Sequence, residues 1–404
     1  MEILFITHKY PPTIGGMEKQ SFELIKRMRN HCKVYTIIFD LTKENRLTFF
    51  FKLKSRIKAI LLSNPTITLI HLNDGLLAAF TTWLPDYTNI PVVVTFHGLD
   101  VVFPLKFYQK RIIPAFRKLA GCIAVSNSTS NELKKRGISP DKIITIKNGV
   151  DHEISSPPIK STFRKKLEEQ IGISLINKKI LVTMGRPVKR KGFSWFLTSV
   201  FPHLADDIIL VMIGPFESKR NVKNRLVSVF PKSLKSKLEL FFGLESDGQS
   251  LRNELNKSIN KDRVFHLGKL TFEEVKQTLS IADLFVMPNV PIPGDAEGFG
   301  LVALESIMRG TPVLASNLEG ITEAIQEGKN GWLVRAKDPE EWIFKIYELL
   351  ADKDKINQFS DHAKRYTEAN FTWDKMVNEY LKLFKKIGKS RIKTSEISYA
   401  YYQE

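Results

Sequence analysis

The chain has two cysteines in 404 residues, Cys32 and Cys122. They lie far apart in apolar, strand-like runs, so buried free thiols are a better reading than a disulfide framework or a cysteine metal site. Long hydrophobic runs are also missing. A membrane-spanning helix needs about 18 or more consecutive apolar residues, and the most apolar long window, 67–84, is broken by His71, Asn73 and Asp74. The apolar run Glu2 to Ile6 is too short for a secretory signal and has no basic start, so a cytoplasmic chain is expected. Neither internal repeats nor low-complexity tracts occur, and 43% hydrophobic with 26% charged residues is the composition of a globular protein. The sole Asp-x-Asp, Asp352-Lys-Asp354, follows a helical run from Trp342 rather than a strand, which reads as a solvated helix end and not as a metal site.

Acidic residues are in deficit. Against 61 Lys and Arg stand 43 Asp and Glu, a net charge of +18. The excess is uneven: residues 1–155 hold 22 cations and 12 anions, leaving +8 for the rest. Such a balance points to an anionic partner, whether nucleic acid, acidic lipid or a phosphorylated substrate, and does not choose among them.

The length suits two domains. Glu2–Thr7 reads as a strand, followed by a loop ending in Gly15-Gly16 and a helix from about Met17, the first unit of a doubly wound α/β domain. Further strands are predicted over 33–39, 66–71, 92–96, 121–125 and 143–146, and in a second set over 180–184, 210–214 and 311–316. Strands alternating with helices imply parallel sheets with ligand loops at the strands' carboxyl ends.

The stretch 288–312, PNVPIPGDAEGFGLVALESIMRGTP, carries the sharpest chemistry. Pro288, Pro291, Pro293 and Gly294 forbid regular structure, whereas Leu301, Leu304, Ile307 and Met308 recur at helical intervals until Gly310. Glu297 is thereby placed on a loop and Glu305 on a helix. Gly298, Phe299 and Gly300 put nearly bare backbone at the helix's first turn, where unpaired N–H groups favour an anion such as a diphosphate. Residues 185–192, Gly-Arg-Pro-Val-Lys-Arg-Lys-Gly, follow a strand and offer a guanidinium fork, Arg186, and a point charge, Lys191, suited to a departing diphosphate. A basic loop is usually only solvated, and a glycine pair usually only turns the chain.

Glu297-Gly-Phe-Gly followed by Glu305 eight positions on resembles the signature of the family 4 retaining glycosyltransferases. The Gly-Arg-x-x-x-x-Lys-Gly of the 185–192 loop, the Pro-x-x-Gly-Gly of Gly15 and Gly16, His97-Gly-x-Asp100, Ser126 and Asn148-Gly-Val-Asp151 are similar to that family's other motifs. The resemblance implies two facing Rossmann-like domains (GT-B) with an interdomain cleft and a C-terminal helix crossing back to the first domain. It assigns donor-sugar hydroxyls to Glu297, ribose hydroxyls to Glu305 and the diphosphate to Arg186 and Lys191, with backbone contacts from Gly298, Phe299, Gly300 and Leu301. Gly15 and Gly16 would lie by the donor phosphates and His97 by the donor sugar and reactive centre; Asp100 stays open between a ligand and a structural role. The chain departs from the family at Lys147, where a proline is usual, and over 216–248, which is longer and more basic than the usual loop and helix.

The expected plan is an acceptor-side domain at 1–155, a linker at 156–176, a donor-side domain at 177–370, a crossover helix at 371–388 and a tail at 389–404. The expected reaction is retaining, metal-independent transfer of a sugar from a nucleotide-diphosphate sugar, with UDP and GDP not distinguished, to a glycan or lipid-linked acceptor in cell-surface polysaccharide or glycolipid synthesis. No cofactor beyond the donor substrate is required. An epimerase or hydrolase on the same architecture is the rival enzyme. A basic polyanion-binding protein is the rival outside catalysis, although the sharp motifs concern ribose and phosphate, so nucleic acid is not expected.

Two basic, apolar stretches suggest contact with an anionic membrane, on its inner face. Over 43–62, Phe50, Leu53, Ile57, Ile60 and Leu61 share a helical face flanked by Lys52, Lys54, Arg56 and Lys58. Residues 104–118 form a second such cluster. The alternative is that both are ordinary helices covering a sheet.

Overall fold

The computed structural model describes residues 1–151, 160–215 and 246–400. They form two compact units, one comprising Met1–Gly149 with the chain from Phe371 onward, the other Val150–Asn370. Each unit is built on a six-stranded sheet whose paired strands are all parallel. Runs such as Val92-Val-Val-Thr-Phe96 are buried along their whole length, as parallel strands covered on both faces must be.

In the first unit β1 (Glu2–Thr7), β2 (Lys33–Ile38), β3 (Leu69–Leu72), β4 (Val92–Phe96), β5 (Gly121–Ala124) and β6 (Ile143–Thr145) take the order β2-β1-β3-β4-β5-β6. In the second, β7 (Lys179–Met184), β8 (Ile208–Ile213), β9 (Val264–His266), β10 (Leu284–Met287), β11 (Val313–Ser316) and β12 (Trp332–Val334) run β12-β11-β10-β7-β8-β9. The first strand of each sheet in sequence therefore lies inside it, with the chain winding out to both edges. Beside such a reversal point the loops at the carboxyl ends diverge and leave a crevice for ligands.

The helix Trp373–Ala400 belongs to the first unit. Phe384 packs on Phe5 and His71, with ring centroids 6.3 and 5.7 Å apart. The Tyr380 hydroxyl pairs with Thr95 Oγ1 at 2.9 Å and accepts from Gln20 Nε2 at 3.2 Å. This helix runs on through residues 389–400, where the sequence reading placed a tail. The stretch given to the linker also holds a helix, Lys160–Ile171. Its charged composition hid a short apolar seam: Leu167 is buried, and Arg164 Nη2 donates to the carbonyls of Leu175 and Lys178. Most of the basic departure at 216–248 lies outside the described residues.

The helix Arg46–Ser63 corrects the amphipathic reading of 43–62. Leu53 and Ile57 are buried in the core with Phe49, and Phe50, Ile60 and Leu61 pack against the same core. That stripe is the sheet-covering face, because a sheet buried on both sides needs an apolar helix on each. Arg56 is engaged by Glu44 in a two-pronged pair. The opposite face carries Leu47, Phe51 and Leu62, which are 72, 85 and 78% exposed. Beside them Lys54 Nζ lies 5.1 Å from the Trp83 ring centroid and Lys58 Nζ 4.5 Å from that of Tyr87. In 104–118, Tyr108, Ile113 and Phe116 are buried, while Leu105, Lys106, Phe107, Lys110 and Arg111 are exposed. No helix among the described residues is long and apolar enough to cross a membrane.

Candidate active site

β7 and β10 are neighbours in the second sheet, so the loops at their carboxyl ends run side by side. After β7 the chain passes Arg186, which is exposed, and enters a turn over Lys189–Lys191 that Gly192 ends at φ 67°. A side chain at 192 would place its Cβ 1.9 Å from the Pro288 carbonyl oxygen, so glycine is what lets this turn press against the loop after β10. Val290 N–H donates to the Arg190 carbonyl at 2.8 Å and fastens the two loops together.

Glu297 sits where they meet. Its Oε2 accepts from Lys191 Nζ at 2.8 Å, from Asn289 Nδ2 at 3.1 Å and from Arg190 Nη1. Arg190 Nε also faces Asp295 Oδ1 at 3.3 Å, bridging two carboxylates. The Glu297 and Lys191 side chains are nine-tenths buried. Burial raises the Glu297 carboxyl, but Arg190 and Lys191 outweigh it and bring the group down to about 2, so it is ionised. Burial, together with the positive charges of Arg190 and Arg186, pulls the Lys191 ammonium below its ordinary value against the opposing pull of Glu297.

A third loop, after β11, closes on the Glu297 backbone. Glu297 N–H donates to Glu319 Oε2 at 2.5 Å, and Gly320 N–H donates to the Glu297 carbonyl at 3.1 Å. Ser316 Oγ donates to the Asn289 carbonyl at 2.6 Å. Gly298 and buried Phe299 then lead to Gly300, in the left-handed region at φ 95°, which opens the helix Leu301–Met308 bearing half-buried Glu305. Lys191 and Glu297 are thus in direct contact. Glu305 lies about one helical turn along from Leu301.

Gly15, Gly16 and His97 lie in the first unit. Gly15 and Gly16 are exposed at the start of the helix Gly16–Met28. His97 Nε2 donates to the Asn73 carbonyl at 2.9 Å. Asp100 takes a structural part, its two oxygens accepting the backbone N–H groups of His97 at 2.8 Å and Gly75 at 2.9 Å. Nearby, His8 Nε2 lies 2.7 Å from Asp74 Oδ2 in a buried pair. Burial raises the Asp74 carboxyl, yet His8, the Leu77 N–H and His97 together bring it to about 2. Among the described residues no group of three or more His, Cys, Asp and Glu is placed to hold a metal ion. Arg190, Asp295 and Glu319 were not among the candidates from sequence; only the crowding of basic residues beside Lys191 hinted at the first.

Two doubly wound parallel sheets, one bearing a cation–carboxylate cluster at its ligand-side loops, define a glycosyltransferase of the GT-B fold. Residues 5–154 match the model of Glycosyltransferase Family 4, and residues 166–366 that of Glycosyl transferases group 1. The chain belongs to glycosyltransferase family 4. It is 21% identical to the alpha-maltose-1-phosphate synthase of Mycolicibacterium smegmatis over 417 aligned positions, which take in 96% of this chain and 100% of that protein. Among solved structures it resembles HepE of Anabaena in complex with UDP and glucose, with a TM-score of 0.73 and 17% identity over 96% of this chain and 100% of that one. It also resembles the sucrose-phosphate synthase of Thermosynechococcus elongatus, at 0.71 and 19% over 96% and 99%.

Proposed function

We propose that this enzyme moves a sugar from a nucleotide-diphosphate sugar to a glycan or lipid-linked acceptor with retention of the donor's anomeric configuration, in the synthesis of a cell-surface polysaccharide or glycolipid. The observation that carries the reading is the buried contact of Lys191 with Glu297, directly before the glycine-rich start of the helix that holds Glu305. Glu297, ionised and fixed by three donors, accepts hydroxyls of the donor sugar. Glu305 accepts the ribose hydroxyls. Arg186 and Lys191 face the diphosphate: an ammonium has three hydrogens, so Lys191 can keep Glu297 and still donate to a phosphate oxygen. The backbone N–H groups of Gly298, Phe299, Gly300 and Leu301 add their partial positive charge. In the first unit, Gly15, Gly16 and His97 serve the donor phosphates and sugar.

As the bond from the anomeric carbon to the diphosphate oxygen breaks, negative charge grows on that oxygen, and the two cations stabilise it. The acceptor hydroxyl attacks on the face the leaving group vacates and gives its proton to the departing phosphate. No metal is needed in this account, because Arg186 and Lys191 neutralise the diphosphate. HepE binds UDP and, in another structure, UDP-glucose, which makes UDP-glucose the first donor to try.

In this reading the acceptor is met at an anionic membrane surface. The exposed line of Leu47, Phe51 and Leu62, with Lys54 and Lys58 at its side and Trp83 and Tyr87 beneath them, has the apolar wedge, cationic flank and aromatic shoulder of an interfacial element. It supports peripheral attachment in place of the buried stripe.

The test is product analysis by proton NMR with UDP-glucose and GDP-mannose as donors, in excess EDTA, with and without a membrane-lipid extract as acceptor. Acceptor-dependent product of unchanged anomeric configuration is the expected result, and Glu305→Ala should weaken UDP binding about tenfold or more. An inverted product, or turnover of the donor that ignores the acceptor, sinks the reading.

A further inference from the structure

Glu319 has φ 49°, the left-handed region that residues other than Gly, Asn and Asp seldom enter unless their surroundings hold them there. What holds it is the Glu297 peptide. Glu319 Oε2 takes the Glu297 N–H at 2.5 Å, and the next residue, Gly320, gives its own N–H to the Glu297 carbonyl at 3.1 Å. A Cβ on Gly320 would stand 2.0 Å from the Gly298 carbonyl oxygen, so the 317–320 loop is drawn against the carboxylate loop as closely as backbone allows. Thr322 Oγ1 donates to the Glu319 carbonyl at 2.9 Å and ties the turn to the short helix Ile321–Ala324.

We propose that Glu319 is a positioning residue for donor capture, its carboxyl seating the Glu297 backbone while its charge sets how readily the anionic donor enters. The proposal rests on Glu297 holding the donor sugar. Glu319 faces Glu297 and Asp295 from the loop after β10 and Arg190 from the loop after β7, with Lys191 paired to Glu297 behind them. Burial and the neighbouring Glu297 and Asp295 charges push the Glu319 carboxyl up to about 7, against the pull of the Glu297 N–H and Arg190. Below that pH the cluster holds two ionised or ionisable carboxyls, Asp295 and Glu297, against two cations. Above it, Glu319 adds a third anion and repels a diphosphate. One carboxyl oxygen can accept the Glu297 N–H in either state, so the seating survives while the charge changes.

The experiment measures donor KM and kcat from pH 5.5 to 8.5 for the native enzyme, Glu319→Gln and Glu319→Ala, with UDP-glucose. For the native enzyme KM should rise about fivefold as pH passes through 7, with kcat nearly constant. Glu319→Gln, which keeps an acceptor oxygen and cannot ionise, should hold the low-pH KM throughout. Glu319→Ala should raise KM at every pH. A native KM profile that Glu319→Gln leaves unchanged overturns this inference and spares the proposed function. Failure of the native enzyme to bind any nucleotide sugar overturns both.

Discussion

Lys191 Nζ stands 2.8 Å from Glu297 Oε2, and Arg190 reaches the same carboxylate while also engaging Asp295. The two cations are adjacent in sequence but differ in what depends on them. Arg190 joins two buried carboxylates. Lys191 adds to one that Arg190 and Asn289 already satisfy in part.

The two substitutions should therefore separate. Arg190→Ala takes from buried Asp295 its cation and leaves Glu297 with Lys191 and Asn289 alone, and should cost about 3–5 kcal/mol of stability, read from the urea midpoint of the second unit. Arg190→Lys should recover only part of it, since an ammonium lacks the fork that spans two carboxylates. Lys191→Met should leave the fold near its native midpoint and lower turnover at saturating donor by about 10² or more. A Lys191→Met enzyme that turns over normally would remove the phosphate role.

Acid stability of the first unit should turn on His71. It is fully buried on β3, its Nε2 is 2.9 Å from Thr95 Oγ1, and burial together with the His97 charge drops its pKa to about 3. The folded value lies below the unfolded value of about 6.5, so the unfolded chain binds a proton that the folded chain refuses. Stability is then lost as pH falls from about 6.5 towards 3, by up to ~1.4 kcal/mol per pH unit from this group. Glu319 acts in the opposite sense over 4.5 to 7 in the second unit, because its folded value is raised. Urea unfolding at pH 7 and pH 5 of the native chain and of His71→Gln isolates the histidine: the loss between the two pH values should be smaller in the variant. Equal losses would show that His71 does not titrate as described.

Membrane attachment should depend on the outer face of the helix Arg46–Ser63. Changing Lys54 and Lys58 to Gln removes two cations worth about 1 kcal/mol each at an anionic surface, and Phe51→Ser removes the most exposed wedge. The triple variant should lose sedimentation with phosphatidylserine vesicles at low salt while binding UDP as before. If the native chain stays in the supernatant, the acceptor is soluble.

The sheets were legible because a parallel strand buried on both faces must be apolar throughout, and Val92–Phe96 and Glu2–Thr7 read so without context. Glu297 was legible too, since its proline and glycine surroundings allow only a loop. The pairing of Arg190 was not: Lys189, Arg190 and Lys191 look alike in a row, and only the turn ending at Gly192 decides which of them point inward. Glu319 carried no local signal, because its partner is a peptide N–H 22 residues away and any side chain of that length could have faced water. The stripe of Leu53 and Ile57 misled for a related reason. An apolar helical face is the same pattern whether a sheet or a lipid covers it, and only the structure shows that the sheet takes this one while Leu47 and Phe51 on the other side stay exposed.

The helix from Trp373 completes a unit that begins at Met1. Gly149, where the chain leaves that unit, lies so close to the backbone of Thr372 and Trp373 that a Cβ there would fall 2.3 Å from Trp373 N. Exit and return share one doorway, and the second unit is an insertion in the first. On the ribosome, β1 to β6 are made long before Tyr380 and Phe384. Until those arrive, Phe5, His71 and Thr95 lack the partners that Tyr380 and Phe384 give them, whereas Val150–Asn370 is one contiguous span. The unit synthesised second is therefore the one that can finish folding first, and a nascent chain halted near residue 370 would carry a complete second unit and an open first sheet, a natural target for chaperones.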